Sequence, residues 1–175
     1  MHRLAIIIFL FLFACDMPFK KQEQKEHSEQ TLVSNTSLVI LGTLQDGGSP
    51  HIGCKKDCCK NLFARPDNLR KVVALGIVDQ NSKKTFLLEA TPDFPSQIQQ
   101  LQRISGFKNV GVPDAVFLTH AHIGHYTGLM YLGREALGAK GVNVFAMPRM
   151  KTYLENNGPW SQLVSLKNIQ LQSLE

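Results

Sequence analysis

An α/β layered fold is predicted by three observations. Short apolar, β-branched runs recur along the chain between clusters of turn-forming residues. Segments with apolar residues at helical spacing fall between those runs. Their alternation is the pattern of a sheet covered by helices. With 175 residues, 43% of them hydrophobic, the chain can build one domain with a core and is short for two. The formal charge of +5 is dispersed, with no basic block and no interleaved aromatic stripe, so no nucleic-acid partner is indicated.

At the start, Met1-His2-Arg3 precedes an apolar run over residues 4–14. That run is too short to span a bilayer and suits the core of a signal peptide. Leu12-Phe13-Ala14-Cys15 resembles a bacterial lipobox, in which Cys15 would become the lipidated first residue of the mature chain; the alternative is an ordinary secretory signal with a chance cysteine. Residues 15–37 are rich in Lys, Gln, Glu, Ser and Thr and poor in large apolar groups, the composition of a tether. The expected organisation is a signal peptide over 1–14, a lipidated tether over 15–37 and a folded domain over 38–175. The expected location is that of an exported bacterial lipoprotein, held to a membrane by its lipid and facing the periplasm or cell surface.

Residues 38–43 read as the first strand, broken by the turn chemistry of Gln45-Asp46-Gly47-Gly48-Ser49-Pro50. Residues 71–79 and 85–90 read as a hairpin. Thr91-Pro92-Asp93 opens a helix carrying Phe94, Ile98, Leu101 and Ile104 up to Gly106. Residues 115–119 are a buried strand. Tyr126, Leu129, Met130, Leu132, Ala136 and Leu137 predict a helix closed by Gly138. Residues 143–147 form another strand, Pro148 starts a helix ending near Asn156-Asn157-Gly158-Pro159, and residues 169–174 are a last strand.

Two constellations carry chemistry. In Thr119-His120-Ala121-His122-Ile123-Gly124-His125-Tyr126-Thr127-Gly128, three imidazoles follow a buried strand within six residues. His120 and His122 stand two apart on extended backbone, so they share a face and can reach one ion, and His125 opens the next turn toward the same space. Neutral imidazole suits zinc, iron, nickel or copper, and a catalytic site combines such ligands with an open coordination position. The second constellation is Cys54-Lys55-Lys56-Asp57-Cys58-Cys59. Three thiolates at this spacing can share a structural zinc, while the oxidising compartment expected here favours disulfides. Both readings stay open. Asp46 reads as turn chemistry, Tyr126 as a packing residue, and Trp160 as either a pocket rim or a core cap.

The histidine loop resembles that of the metallo-β-lactamase superfamily, usually Thr-His-x-His-x-Asp-His-x-x-Gly. The resemblance implies an αββα sandwich holding one or two zinc ions, or iron, at its edge. His120 and His122 match the pair that helps hold the first metal, and His125 matches a ligand of the second. Gly124 stands where the family has Asp, so the second position is expected to be under-coordinated unless a group from elsewhere replaces it, and Gly124→Asp is expected to restore it. The cysteine cluster and Ala90-Thr91-Pro92-Asp93 resemble the branch containing pyrroloquinoline quinone biosynthesis protein B and related phosphodiesterases, where a Cys-x-Cys-x-x-Cys zinc site is usual; the spacing here is Cys-x-x-x-Cys-Cys. Within that match Asp93 is a candidate for orienting the metal ligands. No histidine follows His125, and the resemblance covers only the first half of the superfamily domain, so the chain reads as an N-terminal part. The implied activity is metal-assisted hydrolysis of a small ester, phosphodiester or lactam-type substrate. Alternatives are a metal-dependent oxidation in quinone cofactor synthesis and a binding lipoprotein without catalysis.

Overall fold

The computed structural model describes residues 35–108 and 111–174. Strands β1 (Thr36–Gly42), β2 (Ala74–Asp79), β3 (Lys84–Leu88), β4 (Ala115–Phe117), β5 (Val142–Ala146) and β6 (Ile169–Ser173) form one six-stranded sheet in chain order. β1–β2 and β2–β3 pair antiparallel, and the later neighbours pair parallel. Consequently β1, β3 and β4 all end at the same sheet edge, where open α/β sheets place their ligands. Helices α1 (Phe94–Ser105), α2 (Pro148–Asn156) and α3 (Trp160–Ser165) complete the mixed α/β architecture.

Strand periodicity divides the sheet into two faces. Val39, Gly76, Leu87, Val116, Val144 and Leu171 lie in one cross-strand row. This row faces the core, which it shares with Leu101 of α1, Leu154 of α2 and Leu163 of α3. Gly76 is where Leu101 comes closest, its Cδ1 lying 2.5 Å from where a β-carbon would stand. The opposite row contains Leu38, Ile77, Phe86, Ala115, Asn143 and Gln170. Beside it Ile40, Leu75, Leu88, Phe117 and Phe145 form the next row, with Phe117 stacked on Phe145 at 4.8 Å. Leu38 and Ile40, 65% and 64% exposed, show how open this apolar face is.

α1 follows its sequence signals. Proline occupies its first turn, and Gly106 ends it at φ 69° with its N–H donating to the Gln102 carbonyl. Buried Gln97 donates to the Val72 carbonyl at 2.7 Å and accepts from the Thr91 hydroxyl at 2.7 Å, so a polar group inside the core is satisfied.

Two expectations are corrected. The strand begins at Thr36 rather than residue 38. The helix expected past Tyr126 is replaced by 3-10 turns at Ile123–His125 and Thr127–Leu132. The cause is close backbone contact: Gly128 N–H donates to the Ala90 carbonyl at 2.8 Å, and a β-carbon at 128 would lie 2.2 Å from the Thr91 carbonyl oxygen. Trp160 opens the unanticipated α3 and is buried edge-on against Tyr126 at 5.2 Å, so it caps the core. Cys15, the signal run and most of the tether lie outside the described residues. No described helix is long and apolar enough to cross a membrane.

Candidate metal centre

The histidine loop leaves β4 at the edge it shares with β1 and β3. Ala90, just past β3, clamps it from both sides, donating its N–H to the His125 carbonyl and accepting from Gly128 N–H, each at 2.8 Å. This clamp brings His120, His122 and His125 together, with one ring nitrogen of each within 4.8 Å of the others. Ring centroids lie 4.6 Å apart for His120–His122 and 4.2 Å for His120–His125. His120 and His122 are exposed and His125 is buried, so the cluster is anchored on one side and open on the other.

Glu89 organises the imidazoles from below. Its Oε1 accepts from the Thr119 hydroxyl, and the same hydroxyl oxygen lies 2.8 Å from His120 Nδ1. A hydroxyl has one proton; with it directed at Glu89, Thr119 accepts from His120 Nδ1–H and leaves Nε2 of that ring with a free lone pair. Glu89 Oε2 lies 3.5 Å from His125 Nδ1. These two atoms are buried without a hydrogen-bond partner among the described residues. They stand where the carboxylate and ring of a carboxylate–histidine–metal arrangement belong. Glu89 also has φ 78°, a conformation uncommon outside glycine, asparagine and aspartate. The donor set, its open side and the orphaned buried pair together fit a transition-metal ion.

Glu89 was not a sequence candidate, although a lone acid ending the apolar run Phe86-Leu87-Leu88 is the signal that marks it. The acid favoured by the motif match, Asp93, instead accepts from Val72 N–H at 2.8 Å and ties the β2 approach to α1. Asp46, read as a turn residue, places Oδ2 3.8 Å from His122 Nδ1. The expectation that Gly124→Asp would restore a ligand fails on space. A β-carbon at 124 would lie 2.5 Å from the Asp46 carbonyl oxygen and 2.6 Å from the Asp46 β-carbon.

The cysteines form a separate cluster. Cys54, Cys58 and Cys59 are unpaired thiols whose sulfurs lie within 4.8 Å of one another, with Cys58 Sγ 3.8 Å from Cys59 Sγ. They line an open cleft of about 650 Å³ with His51 and Arg70. Tyr126, next to His125, packs rather than faces solvent. Burial and then the Tyr153 hydroxyl, 3.5 Å away, push its phenol up to about 12.

A family model described as a beta-lactamase superfamily domain matches residues 84–174, which include β3, the histidine loop and β6. Among curated proteins, a coenzyme PQQ synthesis protein B of Methylorubrum extorquens is 31% identical over 124 residues, 69% of this chain and 40% of that protein. Among solved structures, Zn2+-bound PqqB from Methylobacterium extorquens aligns with TM-score 0.62 and 22% identity over 79% of this chain and 49% of the other. A diphosphatase of the PhnP family aligns with TM-score 0.55 and 23% identity, covering 80% and 50%. The chain thus spans about half the length, or less, of these relatives.

Proposed function

Because the chain belongs to the metallo-β-lactamase superfamily, we propose that it serves a metal-dependent hydrolase acting on an ester, phosphodiester or lactam-type bond. The observation that carries this reading is the convergence of His120, His122 and His125 on one open point above a buried carboxylate. An ion held there by His120, His122 and His125 would supply Lewis acidity and lower the pKa of a bound water. The chain's own part is to position. Glu89, through Thr119, fixes the tautomer of His120, and its second oxygen, 3.5 Å from His125 Nδ1, would favour a proton on that nitrogen and leave the other ring nitrogen of His125 for the ion. The exposed rings of His120 and His122 leave the approach free for substrate. Diphosphate or phosphodiester chemistry is supported by the PhnP-family neighbour.

The test is hydrolysis of bis(p-nitrophenyl) phosphate by the zinc-loaded chain. Chelator-sensitive turnover that falls by about 100-fold or more in His120→Ala and His122→Ala is the expected result, since each removes a first ligand. Equal rates in wild type and both variants would contradict it.

A second reading, a step in coenzyme PQQ synthesis, is favoured by the curated relatives of that name. It would replace hydrolysis with metal-dependent oxidation, and oxygen uptake by the iron-loaded but not the zinc-loaded chain separates the two.

A further inference from the structure

We propose that Asp46 is a direct carboxylate donor to the metal centre, occupying from the β1 loop the space that a side chain at position 124 would otherwise fill. This rests on the reading of His120, His122 and His125 as metal ligands. Four observations carry it.

The first is a coincidence of origin. The β-carbon of Asp46 lies 2.6 Å from the point where a residue other than glycine at 124 would place its own. A carboxylate leaving Asp46 therefore starts beside the origin of one leaving position 124, and a side chain at 124 would have to displace the Asp46 backbone. Gly124 is the residue type that lets the Asp46 backbone approach.

The second is distance. Asp46 Oδ2 and His122 Nδ1 are 3.8 Å apart. That is too long for a hydrogen bond. For this pair it is near the spacing of two ligands around one ion, because metal–nitrogen and metal–oxygen bonds of about 2.1 Å at a tetrahedral angle put the donors about 3.4 Å apart; the three imidazoles come within 4.8 Å of one another without Asp46, so its carboxylate joins them by turning inward from His122.

The third is availability. Glu89 Oε1 accepts from Thr119, and its Oε2 is buried 3.5 Å from His125 Nδ1. The Asp46 carboxylate makes no hydrogen bond among the described residues, and its side chain is 39% exposed.

The fourth is preorganisation of the loop. Gln45 bridges the turn with its side chain, accepting from Gly47 N–H and donating to the Gly48 carbonyl, both at 2.8 Å. Leu44 is fixed to the β2 approach through Lys71 and Val73. Asp46 is thus presented by a turn held by the Gln45 side chain and by Gly48 N–H donating to the Gln45 carbonyl at 2.9 Å. Three neutral imidazoles leave the charge of a divalent ion uncompensated, and one carboxylate halves it.

The test is cobalt titration of the full chain, read by the visible ligand-field bands of an imidazole–carboxylate site, which are distinct from the charge-transfer band of cobalt on the cysteines. Wild type, Asp46→Asn and Asp46→Ala are compared, with metal-free thermal midpoints recorded for each. A direct donor requires both variants to bind cobalt at the imidazole site about 100-fold more weakly with altered bands, while the thiolate band and metal-free midpoint stay as in wild type. Asparagine can still accept a hydrogen bond from an imidazole, so wild-type affinity in Asp46→Asn would overturn direct ligation, as would wild-type affinity in Asp46→Ala. Failure of the wild type itself to bind cobalt at the imidazoles would overturn the metal-centre reading, and this inference with it.

Discussion

Glu89 is the residue on which the geometry of the imidazoles turns, and its role follows from elementary hydrogen-bond accounting. It is 6% exposed, so a charge there needs partners, and the partners on hand are the Thr119 hydroxyl and His125. Glu89→Gln preserves shape but replaces one acceptor oxygen with an N–H2 that cannot accept. Zinc affinity, read by competition with a chromophoric chelator, is expected to fall about 10–100-fold, the range typical of a partner that orients a ligand. Unchanged affinity would show that the imidazoles orient themselves. The histidines were legible in the sequence because their convergence is local: one strand end and one turn bring them together. Glu89 and Asp46 were not, because they reach the site from other loops across the sheet edge. Asp93, matched by its place in a motif, accepts from Val72 N–H through Oδ2.

At the scale of elements, the hairpin and the histidine loop show two different limits of pattern reading. The β2–β3 hairpin was readable because its alternation and turn residues agree. Asp79 accepts from the Ser82 hydroxyl at 2.6 Å and from Asn81 N–H at 2.9 Å. These bonds, the Ser82 hydroxyl foremost, hold its carboxyl below the usual range. A depressed folded pKa contributes stability above the ordinary value near 3.8 and loses it as pH falls through the lowered one. Acidification below about pH 4 is therefore expected to lower the protection of the Asn81 and Ser82 amides relative to their intrinsic exchange rates, and Asp79→Asn is expected to remove that acid-dependent component. The same acid dependence in the variant would assign the effect to other groups. The loop after β4 departs from its helical spacing for a reason periodicity cannot register. Tyr126, Leu129 and Leu132 do turn inward, but Gly128 lies against the Ala90 and Thr91 carbonyls, and that backbone contact forces 3-10 turns where apolar spacing alone implied a helix.

Across the whole molecule, one sheet serves two purposes. One face and the three helices build a continuous core, and the edge where β1, β3 and β4 end gathers Asp46, Glu89 and the histidines. The α/β class was visible in the alternation of strands and helices. The antiparallel start and parallel remainder that align those three strand ends were not, since pairing direction is set by long-range contacts. The cysteine cluster is a second candidate metal position, chemically distinct from the first because its donors are thiols. The central claim is that the imidazoles hold an ion, and the most direct measurement is anomalous scattering at the zinc absorption edge from crystals of the chain grown with zinc. The expected result is a peak bounded by His120, His122 and His125 on the side facing Asp46. Anomalous density at the cysteines with none at the imidazoles, or none anywhere, would contradict it.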